Sequence, residues 1–247
     1  MILLVLRTIA CLLPLAAAVA LGGCGGHSSA VSGAPAAGTG VSKAQAQAYA
    51  HEVNLTAADI PEATILSQEH ESGEPSAAGV EFARCAGGVG PSHRVANIDS
   101  ADFRIGSKAE ALRVKSSVEV MPTAALAAQN YTALTSGRGR ECLKRLLPRT
   151  LEGASTGRAR IGPATISPLP QLLAAGTASF GMRVNTTLTG LIRGKQVTLP
   201  LVLDVFDLLA GPAEVNFSVG SSLRPPPRAL EQRLLSLLYT RAQTHKL

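Results

Sequence analysis

The chain has no tryptophan, and only five phenylalanines and three tyrosines among 247 residues. Sites that stack sugars, nucleobases or quaternary amines are built on aromatic platforms, and few are on offer. The core must therefore come from Leu, Val, Ile and Ala. Long basic runs are missing too. Lys and Arg number 23 against 17 Asp and Glu, a formal net charge of +6. These cations are scattered, with a modest cluster at Arg138, Arg140, Lys144, Arg145 and Arg149. Such a surplus suits a surface facing anionic lipid headgroups and is not a nucleic-acid footprint.

Catalytic spacing is absent as well. His27 falls in a low-complexity stretch and His245 at the end of the chain. His51, His70 and His93 stand apart among polar neighbours and read as solvated surface residues. There is no HExxH spacing, so no metal is expected. The stretch around Ser179, "TASFG", departs from a nucleophile elbow because Thr177 replaces the first glycine and the serine lies mid-strand. The run "GRGREC" at 137–142 lacks the third glycine and the preceding strand of a phosphate fingerprint. Asp204 and Asp207 are three apart on a strand, so they point to opposite faces and form no acid/base pair. No enzyme activity, catalytic residue or cofactor is expected.

What is present begins at the N-terminus. Residues 8–21 are almost wholly apolar. The run is short for a membrane span but fits the apolar region of a secretory signal. It leads into Leu21-Gly22-Gly23-Cys24, which resembles the bacterial lipobox. That resemblance implies cleavage before Cys24 and a diacylglycerol on its sulfur. The alternatives are a plain signal peptide with an incidental cysteine, or a short membrane anchor. Residues 1–23 are thus read as the signal peptide. Residues 24–42, rich in Gly, Ala and Ser, form a flexible tether. Residues 43–247 form a single domain. The expected location is the extracytoplasmic face of the cell membrane.

Four cysteines are present. Cys11 leaves with the signal and Cys24 carries lipid. Cys85 and Cys142 remain, an even pair in an oxidising compartment, and a disulfide is expected. Two buried thiols or a metal pair are the alternatives; no His or Cys nearby has ligand-like spacing. A bridge closing a loop of about 57 residues would stabilise by on the order of 4 kcal/mol.

Within the domain, residues 42–54 are Ala- and Gln-rich and helical in character. Thr56 can cap a short turn before Pro61. "ATILSQE" reads as a strand, and "ESGEPSAAG" as a loop. In "ALRVKSSVEVM", Val114, Ser116, Val118 and Val120 share one face of a half-buried strand. Pro122 opens an Ala-rich helix, interrupted at Ser136-Gly137. A second helix with Cys142, Leu146 and Leu147 is expected to end at Pro148. The back half alternates: Ala178, Phe180, Met182 and Val184, then Val197, Leu199, Leu201, Leu203 and Val205. Arg193-Gly194 and Gly211-Pro212 mark the turns. A terminal helix places Leu230, Leu234, Leu237, Leu238 and Arg241 on one side. The expected class is α+β: a single antiparallel β-sheet of about five or six strands, with two or three helices packed on one face.

The order Cys85-Ala86-Gly87, a Val-rich strand ending at Met121, Pro122-Thr123-Ala124-Ala125 opening an Ala-rich helix, Cys142, a hairpin sheet and a terminal amphipathic helix resembles the extracellular sensor domain of PknH-like bacterial kinases and their lipoprotein relatives. The resemblance spans roughly residues 55–243 and implies an envelope domain that binds an unidentified ligand or envelope protein. Those domains usually carry two disulfides and more aromatics; this chain offers one cysteine pair, so no binding residues are carried over. The expectation is a lipid-anchored, non-catalytic, sensor-like binding domain. The alternative is a carrier of lipid or other apolar molecules, enclosed between the Leu/Val-rich sheet and the terminal helix.

Overall fold

The computed structural model describes residues 40–72, 76–106, 111–153, 159–173, 178–192 and 195–247. The signal peptide, Cys24 and most of the tether lie outside the described residues, as do Thr177 and the Arg193-Gly194 turn. The elements run α1 (Lys43–Val53), β1 (Thr64–Ser67), β2 (His70–Glu71), α2 (Ala77–Ala86), β3 (Ala96–Asp99), β4 (Asp102–Ile105), β5 (Leu112–Val120), α3 (Ala124–Thr135), α4 (Gly137–Gly153), β6 (Ala159–Ile161), β7 (Thr165–Pro168), β8 (Ser179–Ile192), β9 (Lys195–Ala210), β10 (Ala213–Ser222) and α5 (Arg228–Thr244).

The strands form one antiparallel sheet in the order β1-β4-β5-β10-β9-β8-β6. β3, extended by β2, shares the outer edge of β5 with β4, and β7 shares the outer edge of β8 with β6. The described residues thus carry ten strands and five α-helices, not five or six strands and two or three helices. The excess comes from short edge strands of two to four residues, whose patterns are too brief to separate from loops. Glu71 of β2 and the start of α2 fall inside the stretch 71–79 expected to be a loop.

Helices also cover both faces of the sheet rather than one. On the first face, α1 and α5 close the main core. Tyr49, Ala50 and Val53 from α1 and Leu234, Leu235 and Leu238 from α5 meet Val114, Val118, Phe206, Leu208, Val215 and Phe217. The Phe206 and Phe217 rings stack, with centroids 5.9 Å apart. On the second face lie α2, α3 and α4, joined by smaller clusters around Cys142 and Met121.

This two-sided cover divides the alternating residues of the back half between two faces. The stripe Val197 to Val205 chosen by alternation lies on the second face, as do Phe180, Met182 and Val184. The main core takes Phe206, Leu208 and Ala210 instead. A central strand buried on both faces is apolar at nearly every position, so alternation cannot say which face holds the core.

Local rules account for the helix ends. Ser42 and Gln45 form a capping box at α1. Thr56 and Asp59 do the same at a 3-10 turn, Ala57–Asp59. Ser136 Oγ accepts from Gly139 N at 2.9 Å and starts α4 directly after α3. α4 then runs past Pro148 to Gly153. A proline removes one amide donor and does not oblige the helix to stop when tertiary contacts hold the flanking turns. The β9–β10 turn falls at Gly211-Pro212, with Ala210 paired to Ala213.

Candidate functional site

Polar groups that need an explanation gather in three places. The first joins α5 to the sheet. Glu231, fully buried, faces Asp204 of β9, also fully buried. Arg183 of β8, directly opposite Asp204 in register, holds it through Nε to Oδ1 at 2.7 Å and Nη2 to Oδ2 at 2.5 Å. Arg228, one turn earlier on α5, donates to Glu231 Oε2 at 3.0 Å. Glu231 Oε1 has no conventional donor. Its neighbour is the Asp204 carboxylate, and that contact is a hydrogen bond only when Glu231 carries the proton. Burial first, then the hydrogen bond and charge of Asp204, push the Glu231 pKa up to about 8.

The second lies under α3 on the opposite face. Glu119 of β5 and Glu214 of β10 are direct cross-strand partners. Like charges in that position repel at a Cβ spacing of about 5 Å. Arg94 Nε approaches Glu119 Oε2 at 2.8 Å. Asn130 Nδ2 of α3 donates to both Glu214 oxygens, at 3.0 and 3.1 Å. Burial, then the Glu119 charge, raise the Glu214 pKa to about 7. Asp207 of β9 is buried beside them with neither carboxyl oxygen hydrogen-bonded. Burial first, then Glu214 and Glu119, keep it protonated well above the usual range. Tyr131 is raised to about 12 by burial and by Asp207 and Glu214.

Asp204 and Asp207 do point to opposite faces, so neither serves the other. Each has carboxyl neighbours that sequence spacing cannot supply: Glu231 beside Asp204 comes from α5, and near Asp207 Glu214 comes from the adjacent β10 and Glu119 from β5 beyond it. The signal available was an acidic residue inside an otherwise apolar strand. Asp and Glu are almost never fully buried unless paired, so an Asp there demands a partner.

The third place is the helical layer. Cys85 on α2 and Cys142 on α4 are joined in a disulfide, with Cα atoms 5.9 Å apart and a sequence separation of 57. Cys142 is buried and Cys85 half-exposed. A cleft of about 350 Å³ opens over the bond, lined by Cys85, Arg138, Glu141, Cys142 and Arg145. Arg138 Nε donates to the Cys85 carbonyl at 2.6 Å, satisfying a carbonyl in the last turn of α2. Arg145 Nη2 lies 2.8 Å from Cys85 Sγ.

The remaining candidates stay apart. Cys24 lies outside the described residues. His51 pairs with Glu69, His70 Nε2 lies 3.5 Å from Asp99 Oδ2, and His93 sits on a 3-10 turn. Ser179 accepts from Gln171 Nε2 at 3.3 Å. Among the described residues, no group of three or more His, Cys, Asp or Glu is arranged to hold a metal ion, and no helix is long and apolar enough to cross a membrane.

No family model and no curated protein matches the sequence. The chain bears a weak structural resemblance to the extracellular domain of PknH from Mycobacterium tuberculosis. Sequence identity is 10% and the TM-score 0.36, over 82% of this chain and 97% of that one. A superposition this loose carries no assignment of activity or ligand.

Proposed function

We propose that the chain is a lipid-anchored cell-envelope lipoprotein whose folded part is a non-catalytic, sensor-like binding domain on the extracytoplasmic face. The observation that carries this reading is the Cys85–Cys142 disulfide downstream of the Leu21–Cys24 sequence. Protein disulfides persist in oxidising compartments and are rare where thiols are kept reduced. The export signal and the bridge therefore support the same side of the membrane. The buried carboxyls offer no accessible acid or base, which fits the non-catalytic part of this reading. Asp204, Asp207, Glu214 and Glu231 are each at most 2% exposed. A general acid or base must reach its substrate's proton, and these are sealed beneath helices.

The carrier reading has no comparable support. The space between α5 and the sheet, where that reading needs an apolar chamber, is filled by Leu234, Leu235 and Leu238 against Phe206, Leu208 and Phe217.

Metabolic labelling with palmitate in a bacterial host tests the anchor. The wild-type chain should incorporate label and fractionate with membranes, and Cys24→Ala should lose both. Label persisting in Cys24→Ala would refute the anchor.

A further inference from the structure

We infer that the cleft between α2 and α4 binds a phosphate-bearing anion, clamped between the guanidinium groups of Arg138 and Arg145 over the Cys85–Cys142 disulfide. The inference rests on the reading of the chain as a binding domain and names the ligand chemistry that domain would take.

Four observations carry it. The cleft, at about 350 Å³, falls within the size range of small-ligand sites. Arg138 and Arg145 are seven residues apart on one helix, two turns, and so line the same side of the opening. Each is held in place by a single bond to Cys85: Arg138 Nε to the carbonyl and Arg145 Nη2 to the sulfur. A guanidinium has five N–H donors and a sulfur is a weak acceptor. Neither arginine pairs with a described carboxylate. The one carboxylate in the cleft, Glu141, accepts instead from Lys144 Nζ at 2.8 Å. Two positioned, incompletely satisfied forks facing one opening match the planar bidentate recognition of phosphate oxygens. By comparison, the arginines that seal the sheet, Arg94, Arg113, Arg183, Arg228 and Arg241, each meet a carboxylate.

The ligand could be free phosphate or the headgroup of an anionic phospholipid, and the chemistry is shared. Exposed Arg140 and Lys144 lie on the outer side of the same helix. They raise the local potential without lining the cleft, and so they serve as controls.

The test uses the full-length chain in non-ionic detergent micelles with the disulfide intact. It is titrated with inorganic phosphate and, separately, with micelles doped with phosphatidylglycerol or zwitterionic phosphatidylcholine. Arginine Nε–Hε signals and the backbone amides of residues 85–88 are followed by NMR. A saturable shift with inorganic phosphate assigns a free phosphate. A shift with phosphatidylglycerol but not phosphatidylcholine or inorganic phosphate assigns a headgroup. Arg145→Gln should weaken either response about tenfold or more, since a charge-assisted bond is lost. Arg140→Gln and Lys144→Gln should stay within about threefold of wild type, as expected for charges felt at a distance. Arg138 also caps α2, so Arg145→Gln is the primary variant, and its far-UV spectrum and disulfide content check the fold. No saturable shift with any probe, or equal weakening in Arg145→Gln, Arg140→Gln and Lys144→Gln, overturns the site. Neither result touches the palmitate test, and loss of the anchor would leave the titration unchanged.

Discussion

Raising the pH should loosen the attachment of α5 to the sheet, and Glu231→Gln should remove that share of the pH effect, leaving the share of the raised Glu214 and Asp207 carboxyls on the other face. The titrating group is the buried Glu231, facing Asp204 and Arg183 from the sheet and Arg228 on its own helix. Its pKa rises from 4.5 to about 8 on folding. A folded chain that holds a proton the unfolded chain has released is stabilised by acid. The contribution is complete below pH 4.5, declines as pH climbs, and is gone above pH 8. Converted in full at 1.36 kcal/mol per pKa unit, the change has a ceiling of roughly 5 kcal/mol. Local relaxation and water entry lower such penalties, and ~2–3 kcal/mol is the expected loss between pH 5 and pH 9.

Glutamine in place of Glu231 keeps a donor for Asp204 and an acceptor for Arg228 but cannot ionise. Urea unfolding followed by circular dichroism at constant ionic strength, in unit steps from pH 5 to pH 9, reads the difference. Glu231→Gln should lie within about 1 kcal/mol of wild type at pH 5 and exceed it by ~2 kcal/mol at pH 9. A wild-type stability that is flat or rising over this range would refute the reasoning. So would a Glu231→Gln variant with the wild-type slope.

Three further outcomes follow from the same geometry. Asp207→Asn replaces a buried carboxyl that has no hydrogen-bond partner and whose pKa burial raises, so it should raise the urea midpoint at the alkaline end of the titration, because the amide cannot ionise. A midpoint that falls there would show that Asp207 has a compensating contact. The double substitution Cys85→Ser, Cys142→Ser should lower stability by on the order of 4 kcal/mol, read as a drop in thermal midpoint that reductant does not deepen. Gly181→Ala would put a Cβ 2.9 Å from the Phe206 ring and 3.2 Å from Leu169 Cβ, costing ~1–3 kcal/mol by overpacking; calorimetry showing no loss would mean that the ring yields freely.

The sequence was legible wherever a property is local. Ser42 and Gln45, Thr56 and Asp59, the alternation of β5 and the Gly211-Pro212 turn all behave as their residue types dictate, because capping and pleating need only near neighbours. The helix around Leu234 and Leu238 was legible too, but its inward positions Glu231 and Leu235 were not. Glu231 has the wrong chemistry for a core position until Asp204 and Arg183 are brought to it. The disulfide partners followed from elimination, whereas the cleft above them depends on how α2 crosses α4.

Sequence alone carries the expectation of export, the lipobox-like Cys24, the even cysteine pair and the antiparallel, hairpin-built sheet. Tertiary structure decided which face of the sheet each helix covers, and therefore which carboxyls meet. Alternation records that a strand is buried but carries no label for the face, and on the two-sided strands β9 and β10 both faces are covered. The proton-sharing contact of Asp204 and Glu231, the opposed Glu119 and Glu214, and the arginine-lined cleft each join residues distant in the chain. Their chemistry exists only once the backbone has set them a few ångströms apart.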